Sequence, residues 1–200
     1  MKKILYISIL TLIFGSCLNM NDPEMQGQYI ESYKSFNQEL VNHFPKKIPN
    51  NFVAAAFGSA KYINKRNNYA DLSLTIKIAS KEEFIELKQL LIGEVKTVKE
   101  AMDSCFLIIS YSNELNKKYD CNSITPIPLT ALYDYDGKID DWKIQDNVEI
   151  AVIDFQPGVF LTNENLVAKV EYPEKWRNGF SKGYSFDNEE QTIMYWLIIW

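Results

Sequence analysis

The last eight residues of this 200-residue chain, Ile193 to Trp200, are all apolar or aromatic. In a strand, Ile193, Tyr195, Leu197 and Ile199 face one way and Met194, Trp196, Ile198 and Trp200 the other, so neither side offers a polar row to water. Eight residues are too few to cross a bilayer, for which a helix needs about 20. The run therefore predicts a strand buried on both faces. Burying one large apolar side chain stabilises a fold by about 1.5 to 3 kcal/mol, so this one strand rivals a typical net stability of about 5 to 15 kcal/mol. Any fold this chain adopts must cover it twice.

Upstream, the apolar pattern is first helical. Tyr29, Tyr33, Phe36, Leu40 and Phe44 recur at helical spacing with polar residues between them, which predicts one helix from Met25 to Phe44, stopped by Pro45. His43, the only histidine, falls in its last turn with no Cys, His or carboxylate at ligand spacing, so a structural role is expected. Phe52 to Phe57 is a short apolar run. Ala70 to Ala79 alternates Leu72, Leu74, Ile76 and Ile78 against Asp71, Ser73, Thr75 and Lys77, the pattern of a strand with one dry and one wet face. Asn64 to Asn68, between the two, reads as a basic turn. Ser80 with Glu83 forms a capping box ahead of a second helical stripe, Phe84, Leu87, Leu91, Val95, Val98 and Met102; Gly93 interrupts it, leaving one helix or two open. Cys105 to Tyr111, Val148 to Phe155 and Ala168 to Tyr172 are further strand candidates, the second with Val148, Ile150, Val152 and Asp154 on one face. Together these elements predict an α+β fold, a largely antiparallel sheet of about five to seven strands with two main helices packed on one side.

Acidic side chains outnumber basic ones by 26 to 21, which argues against nucleic acid as a partner. Hydrophobic residues make up 46%, enough for one sizeable core and too much for a disordered chain. The chain has no Gly-rich phosphate loop, HExxH or GxSxG, and no cofactor is expected. Asp134, Asp136 and Asp140 surround Gly137 like the middle of a calcium loop. In that register, however, Leu132 occupies the first ligand position and Lys143 the twelfth, and a tight Asp-Gly turn is the competing reading. Trp176, Phe180 and Tyr184 beside Arg177 would, if exposed, offer stacking faces and a basic donor to a carbohydrate; core packing is the alternative.

Lys2 and Lys3 precede Ile4 to Phe14, an apolar run broken only by Ser8 and Thr11, which has the length of a secretory h-region. Phe14-Gly15-Ser16-Cys17 then places two small residues directly before a cysteine. This resembles the lipobox of bacterial lipoproteins, with Phe14 where that motif usually carries an aliphatic residue. The resemblance covers the signal only. It implies that residues 1–16 are removed, that Cys17 takes a diacylglycerol on its sulfur and an acyl chain on its new N-terminus, and that the protein is lipid-anchored in the cell envelope, at the outer membrane. Asn19, Asn21, Asp22 and Glu24 are similar to the acidic export signals of surface lipoproteins in Bacteroidota. Residues 17–27 then read as lipidated cysteine and short tether, and 28–200 as a single domain. Cleavage removes Lys2 and Lys3 and no acid, taking the net charge from −5 to −7. In an oxidising compartment Cys105 and Cys121 either form a disulfide, closing a loop of about 15 residues worth about 3 kcal/mol, or remain two buried thiols.

The leading expectation is thus a lipid-anchored, non-catalytic ligand-binding or accessory protein of the cell envelope. Its partners are the membrane and either a carbohydrate or an envelope protein. A structural subunit of an envelope complex and a hydrolase built on paired carboxylates are the alternatives.

Overall fold

The computed structural model describes residues 23–60, 69–110, 121, 123–135, 142–144, 147–161 and 168–200. Helices α1 (Pro23–Ser35) and α2 (Gln38–Val41) are followed by β1 (Phe52–Phe57), β2 (Ala70–Lys77), α3 (Lys81–Ile92), β3 (Thr97–Glu100), β4 (Phe106–Ile109) and β5 (Thr125–Pro128). Next come β6 (Tyr133–Tyr135), β7 (Trp142–Ile144), β8 (Val148–Pro157), β9 (Gly179–Asp187) and β10 (Thr192–Ile199). Six strands pair antiparallel in the order β1-β2-β10-β9-β8-β3. β4 and β5 make a small parallel ladder, and β6 pairs antiparallel with β7. The fold is α+β with a largely antiparallel sheet, as the patterning predicts.

The C-terminal run becomes β10, an interior strand between β2 and β9, and this position explains its composition. Ile193, Tyr195, Leu197 and Ile199 join one hydrophobic cluster with Leu72, Leu74 and Ile76 of β2, with Tyr184 and Phe186 of β9, and with Tyr29, Leu40 and Phe84 from the three helices. Trp196 enters a second cluster, with Val148, Ile150 and Val152 of β8, Phe106 and Ile108 of β4, and Ile127 of β5. Ile198 and Trp200 enter a third, with Leu107, Ile109 and Trp176. One side of the sheet therefore carries helices and the other a thin β layer.

Strand β9 makes the second side possible. On that face it presents Gly179, Ser181, Gly183 and Ser185 opposite β10, whose paired residues Ile198, Trp196 and Met194 are large. A Cβ on Gly183 would lie 2.3 Å from the Ala151 carbonyl oxygen and 2.7 Å from Trp196 Cζ2, so only glycine lets the indole lie flat on the sheet.

Several local expectations fail, each for a physical reason. The stripe from Tyr29 to Phe44 is buried as predicted except at half-buried Tyr33, but its helix breaks at Phe36–Asn37. There the Asn37 side chain accepts from the Glu39 N–H and starts α2 afresh. α1 begins at Pro23, so Pro23 to Gly27, expected as tether, are helical, and Gln26 hydrogen-bonds the backbone of Ile48 in both directions. Ser80 caps α3 through the Glu83 N–H as expected, but the second stripe does not stay helical beyond Gly93. Val98 lies on edge strand β3 and is exposed, as is Met102, because alternation in Thr-Val-Lys-Glu suits pairing with β8. A bulge between Val152 and Asp154 shifts the register of β8 and puts Asp154 opposite Lys182, off the face of Val148, Ile150 and Val152. Ala168 to Tyr172 forms a turn and no strand.

Candidate functional site

The thin β layer does not cover the whole second face. Near the β9–β10 turn the register lines up two rows of side chains across the sheet. The outer row is Lys77, Thr192, Asp187 and Val148, and the inner row is Thr75, Met194, Ser185 and Ile150. All of these but Ile150, together with Val53 and Ala54 of β1 and Thr130 and Ala131 of the 3-10 turn after β5, line a cleft of about 340 Å³. Its walls are aliphatic and its polar groups are mostly hydroxyls.

Ser185 stands out among these hydroxyls. Its residue is 6% exposed, and its Oγ is buried without a hydrogen-bond partner. Ser181, four residues earlier on the same face of the same strand, donates to the Pro126 carbonyl at 2.6 Å because β5 lies over it. A buried hydroxyl left unpaired costs about 1 to 3 kcal/mol, which selects against it unless something else pairs it.

The cleft mouth is charged. Lys77 Nζ bridges to Glu190 at 2.9 Å. Asp187 Oδ1 accepts from the Glu189 and Glu190 N–H groups at 2.9 and 2.8 Å and from Asn147 Nδ2 at 2.9 Å, which fixes the turn. Among the described residues no lysine or arginine forms an ion pair with Asp187. Deeper under the β layer, Asp71 borders a second cavity of about 40 Å³ with Ser110, Thr130 and Ile198. Burial pushes its carboxyl up to about 6.

The helix side holds its own polar groups, and each has at least one partner, although His43 Nδ1 is buried without one. Lys182 Nζ donates to the Glu39 carbonyl at 2.6 Å and to Asn42 Oδ1 at 3.2 Å, capping the C-terminal end of α2; burial lowers its pKa. His43 Nε2 lies 3.1 Å from the Trp196 carbonyl. Desolvation, opposed by that hydrogen bond and reinforced by Lys182, pulls its pKa down to about 3, so the ring is neutral and Nε2–H donates. His43 thus sits on the opposite side of the sheet from Ser185. Lys169, also buried, points its ammonium at the Ser110 carbonyl at 3.5 Å.

The residues singled out in the sequence are scattered. Trp176, Phe180 and Tyr184 are buried, divided between the two sides of the sheet, and Trp200 Nε1 donates to the Trp176 carbonyl at 2.8 Å. They offer no stacking platform to a sugar, and only Arg177 of that set is exposed. Cys105 and Cys121 are joined by a disulfide with Cα atoms 5.7 Å apart. Asp136, Asp140, the Asp134 side chain and Cys17 lie outside what is described. Among the described residues no group of three or more His, Cys, Asp or Glu is placed to hold a metal, and no helix is long and apolar enough to cross a membrane.

No protein-family model, curated protein or solved structure matches the chain. The cleft therefore stands on its own geometry. Thr75 and Ser185 carry no motif, and the one local signal was the alternation of small and large residues from Gly179 to Phe186. Only the pairing of β10 with β9 on one side and β2 on the other turns that alternation into a cleft.

Proposed function

We propose that this chain is a lipid-anchored protein of the cell envelope that binds a small ligand without catalysis, in the cleft floored by Thr75, Met194 and Ser185. The observation that carries the binding reading is the Ser185 hydroxyl, buried in the cleft lining without a partner while its neighbour Ser181 has one. Binding is favoured over catalysis because the only histidine packs on the far side of the sheet, where it holds the Trp196 carbonyl. The anchor reading rests on the Lys2-Lys3 start, the apolar run and Gly15-Ser16-Cys17. With α1 starting at Pro23, the folded body stands within about 20 Å of an acylated Cys17.

Fractionation of cells fed radiolabelled palmitate tests the anchor. The wild-type chain is expected in the membrane pellet with label, and Cys17→Ser is expected in the soluble fraction without it. A Cys17→Ser protein that still sediments in high-salt, detergent-free buffer overturns the anchor.

A specific observation favours a second reading, a subunit of an envelope complex. Edge strand β1, Phe-Val-Ala-Ala-Ala-Phe, carries no charge and no proline, and Val53 to Ala56 are exposed. The opposite edge, β3, carries Lys99 and Glu100, the usual protection against strand addition.

A further inference from the structure

We infer that the cleft takes a small apolar amine in its ammonium form, an inference that rests on the binding reading above and names the ligand class. Three observations converge on it. The first is charge: Lys77 is matched by Glu190, which leaves the Asp187 carboxylate, 8% exposed in the row that forms the mouth, without an ion-pair partner among the described residues. Its three hydrogen bonds hold it in place without neutralising it, so the site is preorganised for a cation and repels an anion. The second is shape. Met194, Val148, Ala131, Val53 and Ala54 give the cleft aliphatic walls, and among the described residues no aromatic ring lines it, so it suits an alkyl body better than a flat or sugar ring. The third is the inner row, where the unpaired Ser185 hydroxyl can donate or accept within the same cleft. An ammonium group near Asp187 with a short aliphatic body running inward over Met194 satisfies all three. That chemistry is shared by free alkylamines and by the N-terminus of an apolar peptide.

Saturation-transfer NMR on the purified full chain tests this with butylammonium, butanol and butyrate, and with leucinamide and Leu-Gly-Gly as peptide-like ammonium ions. Butylammonium is expected to bind at least about tenfold more tightly than butanol, and butyrate more weakly still. Asp187→Asn should erase the preference for the ammonium, and Ser185→Val, which fills the cleft floor, should weaken every ligand. Asp187 also fixes a turn, so circular dichroism accompanies that variant, and Ser185→Val decides the outcome if Asp187→Asn is unfolded. Tighter binding of the peptide or of butylammonium assigns the source of the amine, and either supports the inference. Butanol or butyrate binding best, with loss in Ser185→Val, overturns the ammonium class and leaves the cleft as a binding site. Binding that Ser185→Val leaves unchanged, or none at all, overturns both.

Discussion

The two sides of the central sheet solve the same burial problem differently. On the helix side, β2, β9 and β10 present large apolar side chains that form one continuous cluster with α1, α2 and α3, and the polar intruders, His43 and Lys182, each have a backbone carbonyl within hydrogen-bond reach. On the other side β9 is reduced to glycine and serine, two tryptophans of the chain's C-terminal run lie over it, and the cover is split into two clusters. Where that cover ends, Ser185 has no partner. A sheet packed with helices closes over by the breadth of the helices. A sheet covered by short strands closes only as far as those strands reach, and the gap is where a ligand can enter.

The largest effect is expected where both sides depend on one strand. Deleting Tyr195 to Trp200 removes side chains that are almost wholly buried, from both kinds of cluster at once. The truncated chain should show no cooperative thermal unfolding; an unchanged transition would mean that neither side needs β10. Next comes a change confined to the thin side. Gly183→Ala places a methyl against the Ala151 carbonyl and the Trp196 ring, both fixed, and should cost about 3 kcal/mol in denaturant unfolding. A loss of only a few tenths would show that Trp196 can move and that this side is loosely packed.

A pH experiment separates the two sides further. His43, on the helix side, has a folded pKa of about 3, below its ordinary 6.5. Between those values the unfolded chain holds the proton and the folded chain does not, so its contribution is whole above pH 6.5 and is lost as pH falls towards 3. Asp71, on the thin side, is raised from 3.8 to about 6, so its contribution is whole below pH 3.8 and is lost as pH rises through 6. Melting temperatures at pH 4.5 and 7.5 should therefore show His43→Gln relatively more stable at the lower pH and Asp71→Asn relatively more stable at the higher. Equal shifts at both pH values for either variant would show that its side chain titrates in the folded state as it does in the unfolded chain.

The smallest effect is the most informative about function. Ser185→Val removes an unpaired hydroxyl from a buried place and adds apolar surface, so it should stabilise the fold by about 1 kcal/mol. A destabilisation would mean that the hydroxyl already has a partner and that no ligand is needed to pair it.

How much of this was legible in the sequence follows from which interactions are local. The burial of Ile193 to Trp200 could be read because a strand with no polar row has only one solution. The capping of α3 by Ser80 was likewise local. The break at Asn37 turned on one side chain offering its own N-cap inside an intact apolar stripe, and periodicity is blind to that. β3 was misread because Val95, Val98 and Met102 fit a helical spacing, whereas pairing with β8 decided the matter. Asp154 was assigned to the wrong face because a one-residue bulge inverts every side chain after it. Trp176, Phe180 and Tyr184 read as a binding surface only on the condition of exposure, with core packing the stronger reading, since exposure is a property of the assembled layers. Ser185 gave no signal beyond its place in the small-and-large alternation of β9, because an unpaired hydroxyl is defined by what fails to pack over it.

Cysteine accessibility tests most directly whether the cover stops where the cleft begins. In a Cys17→Ser background, with Cys105 and Cys121 bonded to each other, Thr75→Cys and Ser181→Cys each place a single thiol on the same side of the sheet, one lining the cleft and one under β5. Methyl methanethiosulfonate should modify the Thr75→Cys protein promptly in its native state and the Ser181→Cys protein only on unfolding. Equal protection of both thiols would contradict the cleft, and with it the binding role proposed for Ser185.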